Sequence, residues 1–136
     1  MNKVNKILWL CLKFKLRHAA PIAITIGMIY FLAFNHTPPG TECQSSKSPD
    51  GLYIAQRCLL NWVPGGNSQY VGRLFDANSG QLVAQHTFAT PVPTILWSSY
   101  EGATVLFAVG DGDDDATYIP IPPSTWDRLL AARPRL

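Results

Sequence analysis

A chain of 136 residues has room for one domain with a modest core. Its formal charge of +2 hides a split: the first 34 residues carry five Lys/Arg and no acid, and the rest carries six Lys/Arg against nine Asp/Glu. That acidic remainder lacks the clustered basic face that nucleic-acid binding requires, so this class is set aside.

The chain opens with KILWLCLKFKLRH, in which lysines interrupt an apolar series. Two readings stand here: a basic amphipathic helix on an anionic leaflet, or the charged start of an anchor helix. The next stretch, Ala19 to Phe34, is apolar and uncharged. Sixteen residues rise about 24 Å as a helix, slightly short of a bilayer core of about 30 Å. Snorkelling by Lys13, Lys15 and Arg17 makes up the difference. Tyr30, Phe31 and Phe34 suit the far interface, and Pro21 falls where a missing amide donor costs least. The basic flank predicts a cytoplasmic amino terminus and a single pass. A cleaved signal peptide has a similar layout, but no A-x-A pattern follows the run. The expected organisation is a cytoplasmic basic segment at 1–18, a transmembrane anchor at 19–34, a linker at 35–47 and a periplasmic β-rich domain at 48–136, in a bacterial inner membrane.

Of the three cysteines, Cys11 falls on the cytoplasmic side, while Cys43 and Cys58 fall beyond the span, where disulfides persist. A Cys43–Cys58 bond is the expectation, against two free thiols or a pair of metal ligands. No further cysteine or histidine lies at ligand spacing, so no metal is expected.

Asn35 to Lys47, rich in Pro, Ser, Thr and Gly, reads as a linker, and Ser48-Pro49-Asp50-Gly51 as a turn. Strand-like runs follow at Leu52–Val63, Gln69–Phe75, Gln81–Phe88, Thr94–Tyr100 and Ala103–Val109, punctuated by Gly, Asn, Asp and Pro. The fifth, ATVLFAV, is continuously apolar and reads as a central strand buried on both faces. Tyr118 to Ile121 adds an edge strand, where Pro120 is tolerated. Ser124 caps a terminal helix with Asp127 three residues on, and Trp126, Leu129 and Leu130 form one face of it. The fold class is mainly β: one transmembrane helix, then an antiparallel sheet of five or six strands and a short carboxyl-terminal helix.

SPDGLYIA at Ser48–Ala55 with LFDANSGQLVA at Leu74–Ala84 resembles one blade of a TolB-type propeller, which implies an antiparallel meander. The order of a Cys before SPDG, a Cys in the next strand, LFDANSGQLVAQ, a Trp before a Glu-Gly turn and IPIPPSTWDRL resembles small membrane-anchored proteins of proteobacteria. Some of that kind act as immunity proteins against toxins of type VI secretion. The resemblance implies a protein-binding module and carries no residue-level motif.

The most chemical-looking stretch is GDGDDD at Gly110–Asp115. Counting from Asp111, a calcium loop of the EF-hand kind wants Gly at position six and Glu at twelve, where this chain has Ala116 and Pro122. An acidic docking loop for a basic partner is the better reading. Asp111, Asp113, Asp114 and Asp115, with the aromatics Trp97 and Tyr100, are therefore the candidate partner-binding residues. No G-x-S-x-G surrounds Ser98 or Ser99, His86 reads as an ordinary strand histidine, and no cofactor or enzymatic activity is expected. The alternative is a structural subunit of an envelope complex, held through the small residues Ala20, Ala23 and Gly27 of the span.

Overall fold

The structure is a computed structural model, and it describes residues 19–99, 103–108 and 116–135. The chain divides into two units, Met1–Asn35 with Pro134–Leu136, and His36–Arg133. In the first, residues 19–33 form helix α1, whose side chains are exposed all round. Its apolar residues include Ile24, Ile26 and Phe31. Pro21 sits in the opening turn, and Thr25 Oγ1 donates back to the Pro21 carbonyl at 2.8 Å. Asn35 N donates to Pro134 O at 2.9 Å. Among the described residues no helix is long and apolar enough to cross a membrane.

The second unit is mainly β. Strands β1 (Thr41–Lys47), β2 (Tyr53–Asn61), β3 (Ser68–Asp76) and β4 (Leu82–Thr90) form one antiparallel sheet in sequential order. Strands β5 (Pro93–Ser98), β6 (Thr104–Ala108) and β7 (Thr117–Pro120) form a second. Helix α2 (Thr125–Ala131) closes the chain against β4. The expectation of five or six strands in a single sheet is corrected: among the described residues seven strands lie in two sheets. The break falls at Pro91 and Val92, between the end of β4 and the start of β5, where two prolines within three residues remove ladder donors. β6 is central and β7 an edge, as the apolar run and Pro120 predict, but β6 is not buried on both faces: Val105 and Phe107 are buried and Leu106 between them is only partly so.

β1 is a second correction, because it occupies most of the stretch read as linker. TECQSSK has no apolar alternation, so its strand character comes from its neighbour: it pairs with β2 and is covalently held there by the Cys43–Cys58 disulfide. A bulge at the start of the ladder is absorbed by Glu42, with φ of 49°. Closing a 15-residue separation contributes about 3 kcal/mol in the chain-entropy picture. Cys43→Ser with Cys58→Ser should lose about that much in urea denaturation, with β1 amides losing hydrogen-exchange protection first. Unchanged β1 protection in the double variant would show that backbone pairing alone holds the strand.

The core lies between the sheets. Ala55, Leu74 and Ala84 form one fully buried row across β2, β3 and β4, and Phe88 stacks on Tyr70 beside it at 5.7 Å. Val105, Phe107 and Ile119 supply the facing layer. Phe107 reaches furthest, because β3 presents a glycine beneath it: a Cβ on Gly72 would stand 2.7 Å from the Phe107 ring. Sequence alternation gives no hint that Gly72 serves as a seat.

The opposite face of the first sheet is also covered. Cys58 and Val71, a cross-strand pair, are both fully buried there, and Arg73 is 3% exposed. A strap of Pro38, Pro39 and Gly40 lies over them. Arg73 Nη1 donates to Pro39 O at 2.7 Å, Nη2 to Pro38 O at 2.8 Å, and Nε to Gln85 Oε1 at 3.0 Å. Gly40, with φ of 78°, passes so close that a Cβ would meet Cys58 Cβ at 2.7 Å.

Candidate functional site

Trp97 is the described member of the predicted interface. It lies on β5, opposite Val105 of β6, so it faces the first sheet and is half-buried against the core. Its indole Nε1 donates to Ser46 Oγ of β1 at 3.0 Å, which fixes the ring between the sheets. Tyr100, Asp111, Asp113, Asp114 and Asp115 lie outside the described residues. The other described tryptophans lie at the surface: Trp62 and Trp126 are 67% and 65% exposed.

A cleft of about 160 Å³ opens where the β1–β2 turn meets the end of the second sheet. Its walls include Ser48, Asp50, Trp97, Ser98, Thr104 and Ile121. The turn is tied together by its own hydrogen bonds. Ser48 Oγ donates to Asp50 Oδ1 and accepts from Tyr53 N at 2.9 Å, and Leu52 N donates to the same Asp50 oxygen at 3.0 Å. The hydroxyl of Ser48 and the Leu52 amide, in that order, hold the Asp50 carboxyl below its ordinary value, so it carries its charge. The sequence reads Ser48–Gly51 as turn chemistry alone. That the turn also walls a cleft with Trp97 has no local signal, since the two are 47 residues apart.

The outer face of the second sheet carries a second missed feature. Leu96, Leu106 and Tyr118 are direct cross-strand neighbours on β5, β6 and β7. Leu96 and Tyr118 are 49% and 57% exposed, so an apolar row crosses the sheet on its solvent side. Ser98 and Thr104, which line the cleft, form the next outward-facing pair on β5 and β6, about 7 Å along the strands. Row and cleft are therefore continuous.

His86 and Asp127 form a further pair. His86 Nε2 and Asp127 Oδ1 are 3.0 Å apart, joining β4 to α2. Asp127 is also the third residue of a capping box: its backbone amide donates to Ser124 Oγ at 3.1 Å, and its Oδ2 accepts from that hydroxyl at 2.6 Å. Ser124 and His86 thus both bond to the carboxylate rather than to one another. A nucleophilic triad needs the histidine beside the hydroxyl, so this arrangement docks a helix and is not a triad. Docking buries Ala131, while Trp126 and Leu129 are exposed. Burial pushes the Asp127 carboxyl up, but the bonds from Ser124 and His86 outweigh it and leave a net lowering. A lowered folded value gives stability that is present above the unfolded carboxyl range and lost as pH falls through the folded value. Asp127→Asn should cost about 1 kcal/mol near neutrality, the usual scale of a lost cap. The gap from the parent protein should close on acidification. A gap that stays constant from pH 6 to pH 2 in thermal melts would refute the link.

Among the described residues no group of three or more His, Cys, Asp and Glu side chains is placed to hold a metal ion. No family model matches the chain, and no curated protein or solved structure matches it.

Proposed function

We propose that this chain is a membrane-anchored protein-binding module of the bacterial cell envelope. Residues 19–34 hold it in the inner membrane, and its β domain captures a secreted effector in the periplasm, occluding it as an immunity protein does. The observation that carries the reading is the Leu96–Leu106–Tyr118 row. Three apolar side chains side by side across an exposed sheet face make the kind of contact surface at which aromatic and aliphatic anchors dominate protein association. The exposed apolar surface of α1 supports the anchor, and the Cys43–Cys58 disulfide supports an oxidising compartment. Asp111, Asp113, Asp114 and Asp115, in the chain between β6 and β7, are assigned with Trp97 and Tyr100 to the same interface.

The test uses the full-length protein in neutral detergent, immobilised and exposed to an envelope and secretome extract. One stoichiometric secreted protein should bind the parent chain. Leu96→Lys with Tyr118→Ala should lose that protein while the thermal midpoint stays within about 2 °C, since surface substitutions seldom exceed about 0.5 kcal/mol. Recovery of membrane-complex subunits alone would replace this reading with that of a structural subunit held through α1.

A further inference from the structure

We propose that the cleft between the β1–β2 turn and the end of the second sheet receives one basic side chain, lysine or arginine, from the protein partner. The inference rests on the binding reading above and adds the chemistry of the contact.

The size of the cleft sets the first limit. About 160 Å³ lies below the roughly 300–1,000 Å³ of sites that enclose whole small molecules, and it suits a single long side chain. Charge sets the second. Asp50 is the one acid among the described residues that line the cleft. Ser48 Oγ and the Leu52 amide both bond to its Oδ1, so neither of these bonds uses Oδ2. An anionic ligand would be repelled by this carboxylate, and a purely apolar one would strip water from it without replacing the lost bonds. A cation supplies both the charge and the donor.

The remaining walls fit the rest of such a side chain. Trp97 and Ile121 offer apolar surface for a methylene stem, and an indole face attracts ammonium or guanidinium when they approach it. The ring is oriented in advance by its bond to Ser46 Oγ, and the turn by the Ser48–Asp50 network, so little ordering remains to be done on binding. Ser98 and Thr104 connect the cleft with the Leu96–Leu106–Tyr118 row. A partner that lays an apolar segment on that row can therefore place a neighbouring basic residue in the cleft.

The experiment is an NMR titration of the ¹⁵N-labelled full-length protein in neutral detergent micelles, following the Trp97 indole N–H, assigned by its loss in Trp97→Phe. The probes are three capped tripeptides, Gly-Arg-Gly, Gly-Lys-Gly and Gly-norleucine-Gly. The two basic peptides should give a saturable shift that weakens at least tenfold in Asp50→Asn, and the norleucine peptide should give none. Asp50→Asn keeps the Oδ1 acceptor, so an unmoved Leu52 amide certifies the turn. No saturable shift with the basic peptides, or equal affinity in Asp50→Asn, overturns the proposal. With the captured partner, Asp50→Asn should weaken binding by a similar factor. Full partner affinity in that variant would remove the cleft from the interface while leaving the binding function standing. Peptide shifts without any captured partner would sink the binding function and leave the chemistry of the cleft intact.

Discussion

Arg73→Met should lower folding stability by about 3 kcal/mol and release the Pro38–Gly40 strap. Two effects compete. Removing a buried guanidinium spares its desolvation, which can offset the loss of its bonds when an apolar side chain fills the space. Here the bonds run to Pro38 O, Pro39 O and Gln85, and methionine has no donor to offer any of them. The two carbonyls can regain partners only by lifting into water, and that uncovers Cys58 and Val71, which are now fully buried. The bond losses therefore win. Arg73→Lys should recover part of the effect, because a single ammonium cannot fork to two carbonyls and a glutamine at once. Urea denaturation reads the stability, and hydrogen exchange at Gly40 and Cys58 reads the strap. A variant as stable as the parent, with the Gly40 and Cys58 amides protected as before, would show that the strap holds without the guanidinium.

Phe107→Ala should be more damaging still, at about 3–5 kcal/mol, a large share of the roughly 5–15 kcal/mol that holds a domain folded. The ring is fully buried, lies on Gly72 and packs at 6.0 Å from Phe88, so its loss opens a void in the middle of the sandwich. The reciprocal change tests the same contact from below. Gly72→Ala pushes a methyl into the ring at 2.7 Å and should cost about 1–3 kcal/mol by overpacking. In the Phe107→Ala background the same alanine has room, so its cost should nearly vanish. Additive effects in that double-mutant cycle would mean that ring and glycine do not meet.

These two sites show where the sequence stops being informative. The strand runs at Leu52–Val63, Gln69–Phe75, Gln81–Phe88 and Ala103–Val109 are legible because turn residues bracket them, and each has a strand at its centre. The Ser124–Asp127 capping box is equally local and is read without loss. β1 is not legible, because its polar residues become a strand only when β2 and a disulfide supply the partner. Nor is the division into two sheets: the Pro91 to Pro93 break shows that the pattern stops, not that the chain changes layer. The site follows the same rule. Trp97 is found by its type, yet its partner Ser46 lies 51 residues away, in the presumed linker. Asp50 looks like turn punctuation, and the Leu96–Leu106–Tyr118 row exists only once the register of three strands is known. The docking side of α2 is not local either: His86 and Ala131 hold the helix, and the bulkier Trp126 and Leu129 remain outside.

The strand order has a consequence for how fast the domain assembles. Within each sheet every strand pairs with its neighbour in sequence, so each sheet is a hairpin-by-hairpin ladder that closes only short loops. Such pairings rank among the least demanding in chain entropy for a β protein, which places the domain at the quicker end of the all-β range. The steps that join distant pieces include the packing of the two sheets and the contacts of Arg73 with the strap, Trp97 with Ser46 and His86 with Asp127. They join pieces already formed. In stopped-flow refolding of the oxidised chain, substitutions at these three contacts should therefore act mainly on the unfolding rate, and those within the β2–β3 hairpin on the folding rate.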